Sequence, residues 1–330
     1  MAKKKISKIA SKKKSSSKKI SKKKTSTKKA AAKRTAKKPK LAKRRKVKNI
    51  LLVYREHGTE AKKKAQDLCN WFQERGINVF LNSKQDKLKN SFKISKDAEL
   101  SKIDHCIVLG GDGTYLRAVH YLGERNVPVM GINMGSLGFL TETRLEDMYP
   151  CLNLLLEGGM DFQYRNLLRV QVKQNGKIKD SWLCLNDVVL ERGPYTRLIS
   201  MAIYSNGNLV SEIRADGLIA ATPTGSTAYN LAAGGPIMFP CTEAIAITPI
   251  CPHSLTTRPM IVPSDHEIRL RIQTQTQNAI FMVDGYNRAT LSPNDEIIIR
   301  QAKVKHTLVR PPAQSYFELL KSKLNFGQRA

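Results

Sequence analysis

The sequence predicts an α/β protein in two parts: a Rossmann-like N-terminal α/β domain followed by a β-rich, mainly antiparallel domain. Up to about residue 145, short apolar runs alternate with helical patterns, which implies parallel strands joined by helices. Beyond about residue 156 the period changes to strict apolar/polar alternation broken by Asn-Gly pairs, the mark of half-buried antiparallel strands and hairpin turns. The N-terminus stands apart. Of the 57 Lys and Arg in 330 residues, 24 lie among the first 48, and no acidic residue precedes Glu56. The other 33 basic residues face 27 acidic ones, so the net charge of +30 belongs to an arm and not to the fold.

Ordered sequence starts at Asn49-Ile50-Leu51-Leu52-Val53-Tyr54, a short apolar run suited to a buried strand. A helical pattern runs from Thr59 to Arg75 with Ala61, Ala65, Leu68, Cys69 and Phe72 on one face, and Gly76 is placed to end it. Ile77 to Leu81 reads as a second strand, whereas the polar stretch from Asn82 to Lys102 carries no clear pattern. Cys106-Ile107-Val108-Leu109 is another buried strand; it enters Gly110-Gly111-Asp112-Gly113-Thr114, then a helix to about Leu122 closed by Gly123, then a strand from Val127 to Ile132. In the second half, Val170 to Lys173 and Ile268 to Gln273 alternate strictly, and Asn175-Gly176 and Asn206-Gly207 are hairpin turns. A helix is expected there only after Thr224-Gly225-Ser226. The divisions are a basic arm at 1–48, an α/β domain at 49–145, a β-rich domain at 146–290, and a segment at 291–330 that packs back on the α/β domain.

The arm is built of Lys, Ser, Ala and Thr with almost nothing apolar to bury, so it is expected to be disordered. Its lysine triplets at 3–5, 12–14 and 22–24 are compositional repetition. Two readings stay open: nonspecific phosphate neutralisation on nucleic acid, or a solubilising or targeting tail. In a eukaryotic host, the stretch from Pro39 to Lys48 with Arg44-Arg45-Lys46 would read as a nuclear localisation patch. The six cysteines form no C-x-x-C pair, which argues against structural zinc and a disulfide framework. No apolar run is long enough for a secretory core or a membrane span. A cytoplasmic location is expected.

Three clusters carry chemistry. Three glycines at a strand-to-helix turn, 110, 111 and 113, let the backbone approach a polyanion and aim N–H groups at it. Asp112 inside that loop would repel phosphates, which points to metal coordination or to a general base for an attacking hydroxyl; an ordinary turn is the plain alternative. The stretch from Asp216 to Tyr229 places four hydroxyls, a proline and a glycine after a strand, where Ser226 and Thr227 would cap a helix or bond ligand oxygens. Asn186-Asp187 interrupts an apolar strand, at a cost of several kcal/mol if buried without partners. A ligand bearing hydroxyls, or a bulge or edge position, would account for the pair.

These residues resemble the NAD kinase family. The resemblance rests on the Gly110–Thr114 loop, the run Asn133-Met134-Gly135-Ser136-Leu137-Gly138-Phe139-Leu140-Thr141, Asn186-Asp187, the block from Asp216 to Pro236, and the run from Pro249 to Leu255 followed by Arg258-Pro259. It covers about residues 49 to 325. The first motif is shared with lipid and sphingoid kinases and with phosphofructokinases; the Asp216–Pro236 block is specific.

The resemblance implies transfer of the terminal phosphate of ATP, with Mg²⁺, to the 2′-hydroxyl of the adenosine ribose of NAD. Asp112 would be the base, and Gly113 would let the dinucleotide lie close. Asn186 and Asp187 would bind ribose and adenine groups, Asp216 would sit near the nicotinamide end, and Thr227, Ala228 and Tyr229 would line the pocket. Arg117 resembles a phosphate-meeting position, and Arg197 and Arg214 resemble nucleotide contacts. No metal-ligating side chain beyond the loop is assigned, and a homo-oligomer is implied. Ala232 stands where the family usually has serine, and Tyr286 where many relatives carry glutamine.

Overall fold

The computed structural model describes residues 46–56, 58–193, 197–273, 278–312 and 315–325, all within one unit of the chain. The arm expected at 1–48 lies outside the described residues as far as residue 45. The N-terminal part runs β1 (Asn49–Tyr54), α1 (Thr59–Gln73), β2 (Asn78–Leu81), β3 (Phe92–Lys93), α2 (Asp97–Leu100), β4 (His105–Leu109), α3 (Asp112–Leu122), β5 (Val129–Asn133), β6 (Thr143–Arg144) and α4 (Met148–Glu157). The strands and helices read from the apolar runs are present to within two residues at each end. The polar stretch after Asn82 supplies β3 and α2, and α4 is an element the sequence reading did not assign.

The second part begins with β7 (Asp161–Gln174), β8 (Lys177–Cys184), β9 (Asp187–Arg192), β10 (Ile199–Ser205), β11 (Asn208–Ala215) and β12 (Gly217–Ala221). After a 3₁₀ turn at Gly225–Thr227 come α5 (Tyr229–Ala232), β13 (Ala244–Ile250), β14 (Met260–Pro263), β15 (Ile268–Ile272), β16 (Ala279–Val283), β17 (Tyr286–Leu291), β18 (Glu296–Arg310) and α6 (Tyr316–Leu324). Both Asn-Gly pairs form hairpin turns with positive φ at each residue (48° and 78°, 47° and 80°), the twist a two-residue loop needs. Among the described residues, no helix is long and apolar enough to cross a membrane.

Two sheets form. The larger has the order β11-β10-β15-β18-β5-β4-β1-β2-β3, with β7 also on β18 and β8 on β7. From β5 to β3 all pairs are parallel, and from β18 to β11 they are antiparallel. The smaller sheet, β14-β13-β12-β9-β16-β17, is antiparallel throughout. The long strand β18 joins the parts. One side follows β7 antiparallel along its length; the other borders β15 first and then, at Leu308 and Val309, lies parallel to Val129 and Met130 of β5.

The burial pattern explains the layers. β1 and β4 are apolar on both faces because helices cover both: Leu68 and Phe72 of α1 and Leu152 of α4 share one cluster with Ile50 and Leu52, whereas Tyr115 and Val119 of α3 share another with Leu51 and Val53. In the second part the inward residues of the two sheets, among them Val170, Ile297 and Ile299 on one and Leu190, Leu218 and Phe281 on the other, form one core. Each fully buried Leu, Ile or Phe contributes about 1.5–3 kcal/mol by leaving water. The carboxyl ends of β4 and β5, where ligands gather in parallel sheets, are left for loops.

Candidate active site

Asp112 is the first residue of α3, directly after β4 and Gly110-Gly111. Its carboxylate faces the loop beyond β5. Oδ2 accepts from the Phe139 N–H at 2.8 Å, and Oδ1 accepts from the N–H groups of Leu140 and Thr141 at 3.1 Å and from the Thr141 hydroxyl at 2.9 Å. The loop is held in turn by Asn133, whose amide donates to Thr141 Oγ1 at 2.7 Å and accepts from Gly135 N at 2.6 Å. A Cβ on Gly138 would stand 2.0 Å from Asp112 Oδ1, so only glycine permits this approach. Around Gly113, by contrast, a Cβ would meet nothing within 4 Å; that residue is exposed beside open space.

Asn186 and Asp187 lead into β9, a central strand of the smaller sheet, which is neither a bulge nor an edge. The turn between β16 and β17 reaches across to them. Asp284 Oδ1 accepts from the N–H groups of Asn186 (2.7 Å) and Asp187 (3.2 Å) and from the Cys184 thiol (3.2 Å), while Oδ2 accepts from Leu185 N (2.9 Å). His120 of α3 also meets Asp284 Oδ2, at 2.8 Å. Arg288 donates to His120 Nδ1 at 2.9 Å, so Nε2 carries the proton that faces Asp284. Asp187 itself is buried; burial first, and the neighbouring Asp284 second, push its carboxyl up to about 7.

The stretch after β12 corrects one expectation. Ser226 and Thr227 do not begin a helix; they lie in the 3₁₀ turn, and α5 starts at Tyr229 and is four residues long. Ser226 Oγ is turned inward, donating to Pro223 O at 2.7 Å and accepting from Met238 N at 2.9 Å, so it is bound within the fold. The physical reason is Asn230. This fully buried amide donates to Ser226 O and Pro236 O, accepts from Thr248 Oγ1, and lies so close to Gly235 that a Cβ there would meet it at 2.1 Å. Gly225 is pressed just as closely against the Asn186 backbone, where a Cβ would stand 2.1 Å from the carbonyl oxygen, which seats the turn on the Asn-Asp pair. Two polar atoms there, Asn186 Oδ1 and Thr224 Oγ1, are buried without a hydrogen-bond partner.

The remaining candidates divide. Arg117 and Tyr286 line a cavity of ≈ 320 Å³ together with His120 and Arg288; Arg117 pairs with Glu56 at 2.8 Å, and the Tyr286 ring stands edge-on to His120 at 5.4 Å. Tyr229 donates its hydroxyl to Glu191 at 2.7 Å, and Ala228 links the 3₁₀ turn to α5. Asp216 accepts from Arg192 Nε at 2.5 Å. Arg197, Arg214 and Ala232 are exposed. Three residues were not singled out from the sequence: Asp284, His120 and Asn230. Asp284-Gly285 is an Asp-Gly pair between two alternating runs, which marks a turn; nothing local distinguishes His120.

A glycine-rich loop at the carboxyl edge of a parallel sheet, with an aspartate at the following helix start, suits a nucleotide-dependent phosphotransferase. The ATP-NAD kinase N-terminal domain profile matches residues 50–160, and the ATP-NAD kinase C-terminal domain profile matches residues 185–311. An NAD kinase of Bdellovibrio bacteriovorus is 42% identical over 281 residues, 85% of this chain and 93% of that protein. One from Citrifermentans bemidjiense is 36% identical over 288 residues, 86% of this chain and 100% of that protein. The crystal structure of yeast NADH kinase complexed with NADH matches with a TM-score of 0.80 at 25% identity, over 86% of this chain and 89% of that one. The chain belongs to the ATP-NAD kinase family, and the lipid-kinase reading of its glycine loop finds no support in these matches.

The raised carboxyl of Asp187 has a cost that depends on pH. Below about pH 4 the group is protonated in both folded and unfolded chains and contributes no difference. As pH rises from there to about 7, the unfolded chain ionises while the folded one holds its proton, so stability falls, by on the order of 4 kcal/mol in all. Asp187→Asn should remove that slope: urea unfolding should find the variant equal to wild type near pH 4 and more stable at pH 8. Identical pH slopes in the two proteins would sink this account.

Proposed function

We propose that this chain transfers the terminal phosphate of ATP to the 2′-hydroxyl of the adenosine ribose of NAD, giving NADP, with Asp112 as the general base. The observation that carries this reading is the pair of orphaned buried atoms, Asn186 Oδ1 and Thr224 Oγ1, beside Asp187. Leaving such atoms unpaired costs about 1–3 kcal/mol each, which the hydroxyls and amides of a dinucleotide would offset. With its carboxyl pushed up to about 7, Asp187 can donate to a ribose oxygen when protonated and accept when ionised. The open space around Gly113 leaves room for the ligand next to the base.

Asp112 Oδ2 accepts one hydrogen bond where a carboxylate oxygen has room for two, so one lone pair remains for a hydroxyl proton. The four donors from the 139–141 loop hold the carboxylate in one orientation, and fixed orientation is what in-line phosphoryl transfer requires. Among the described residues, no three His, Cys, Asp or Glu side chains gather to hold a metal ion. The carboxylate of Asp112, beside the glycine loop, suits Mg²⁺ brought on the phosphates of ATP. When bound, Mg²⁺ neutralises charge on the transferring group. Arg117 in its cavity is proposed to meet phosphate, and the exposed Arg197 and Arg214 to contact the nucleotide; a nucleotide contact at Arg214 favours ATP as donor. Asp216 is proposed to sit near the nicotinamide end, with Thr227, Ala228, Tyr229, Ala232 and Tyr286 along the dinucleotide. We place the protein in the cytoplasm, in keeping with its six free cysteines.

The β-rich half carries exposed apolar side chains, Ile178, Leu209, Leu255 and Ile261, which supports a homo-oligomer built through that half. Light scattering of the full chain should give a mass of two or four protomers, and a monomer at micromolar concentration would end this part of the proposal. The arm is proposed to bind nucleic acid nonspecifically through its 24 basic residues. Deleting residues 1–48 should weaken duplex binding and flatten its salt dependence while leaving NAD phosphorylation intact; unchanged binding would refute it.

For the reaction, NADP formation from NAD and Mg-ATP should fall about 10²–10⁴-fold in Asp112→Asn, with kcat reduced more than KM is raised. Full activity in a folded Asp112→Asn would remove Asp112 from its role as base.

A further inference from the structure

A cavity of ≈ 540 Å³ is lined by residues that the proposed reaction does not use. Its cations are Arg165 of β7 and Lys305 and Arg310 of β18. Arg310 pairs with Glu142 at 2.7 Å, both nearly fully buried, and Lys305 meets Glu243 at 3.6 Å near the surface. Arg165 is different. It is 5% exposed, its Nη2 donates to the neutral Gln163 Oε1 at 2.9 Å, and no carboxylate of the described residues lies within ion-pairing distance of it. Burial pulls its guanidinium below the ordinary range, and burial also raises Glu142, which weakens the nearest negative charge. A buried guanidinium without a carboxylate is a costly arrangement that a bound anion would relieve.

The rim is aromatic. Tyr164, Phe239 and Phe317 are 62%, 46% and 60% exposed, a concentration of large apolar side chains that water-facing surfaces usually avoid. The Phe239 ring stands 5.3 Å from that of Tyr316 and 5.8 Å from that of Phe317, so the rings form one wall. A cationic floor beneath exposed rings is complementary to an oxyanion attached to a flat apolar body: the guanidinium fork matches phosphate or carboxylate oxygens, and the rings take a planar group.

We infer that this cavity is a second ligand site, which takes a small planar aromatic compound bearing one phosphate or carboxylate, the anion on Arg165 and the ring on the Phe239–Phe317 wall. The site is separate from the dinucleotide groups: none of Asp112, Asn186, Asp187 or Tyr229 lines it. A neutral aromatic compound would leave Arg165 uncompensated, and a bare anion would leave the rings in water.

The test uses the full chain saturated with NAD, titrated calorimetrically with phenyl phosphate, benzoate and inorganic phosphate. Phenyl phosphate or benzoate, whichever anion the site prefers, should bind wild type at least tenfold tighter than Arg165→Met and at least tenfold tighter than inorganic phosphate binds. Both proteins keep the basic arm, so the difference between them reports the cavity. Removing an unpaired buried charge should leave the melting temperature of Arg165→Met at or above that of wild type. If that variant fails to fold, Phe317→Ala, an exposed substitution, should still weaken phenyl phosphate while leaving inorganic phosphate unchanged. Equal affinities for wild type and Arg165→Met, equal binding of phenyl phosphate and inorganic phosphate, or binding that appears only when NAD is omitted would each overturn the proposal.

Discussion

The carboxylate of Asp284 has no exposed surface, yet it lies where the two parts of the chain meet. An isolated buried carboxylate would cost several kcal/mol. Here it accepts from three consecutive backbone N–H groups, Leu185 to Asp187, from the Cys184 thiol and from His120. The turn makes this possible: Asp284 and Gly285 both have positive φ, 51° and 76°, which folds the side chain back over the strand end. The same helix that begins with Asp112 carries His120 in its last turn. One interaction thus sets the proposed base in the first part against the Asn186-Asp187 pair in the second. Arg288 completes the arrangement by selecting the His120 tautomer that can donate.

Close approach without side chains is the second constraint. Gly138 beside Asp112, Gly225 against Asn186 and Gly235 against Asn230 each occupy a place where a single added carbon would collide. These contacts let loops from different strands sit on one another, and they place polar groups where backbone N–H donors can satisfy them. Two polar atoms against these contacts, Asn186 Oδ1 and Thr224 Oγ1, are nonetheless orphaned. Arg165 is a comparable exception elsewhere, a buried charge without an opposite one. A physical rule is broken in both places, and in both a ligand would restore it.

Much of the fold was legible because its causes are local. Ile50-Leu51-Leu52-Val53 is apolar on both faces and becomes a strand covered on both faces. Ala61, Ala65, Leu68, Cys69 and Phe72 share one helical side and are the residues α1 buries. The Asn-Gly pairs became hairpin turns because those residues tolerate positive φ. The glycine loop with Asp112 was legible for a similar reason: a strand, a turn and a helix are adjacent in sequence. The reading failed at Ser226 and Thr227, where hydroxyls ahead of an apolar stretch resemble caps. Asn230, through bonds to Pro236 and Thr248, imposes a 3₁₀ turn instead, and those partners are not local.

The sequence by itself determined the two-part architecture, the resemblance to NAD kinases and the candidates Asp112, Asn186 and Asp187, since period, turn chemistry and motif order all act over a few residues. Only the tertiary structure decided that β18 borders β15 at one end and β5 at the other, that Asp284 and His120 join the parts, and that Arg165 is buried. Each of these depends on which distant residues come into contact, and a hydrogen bond between positions 120 and 284 leaves no periodic mark on the chain. The partners of a buried polar group follow from packing, and packing is settled only when the whole chain has closed on itself.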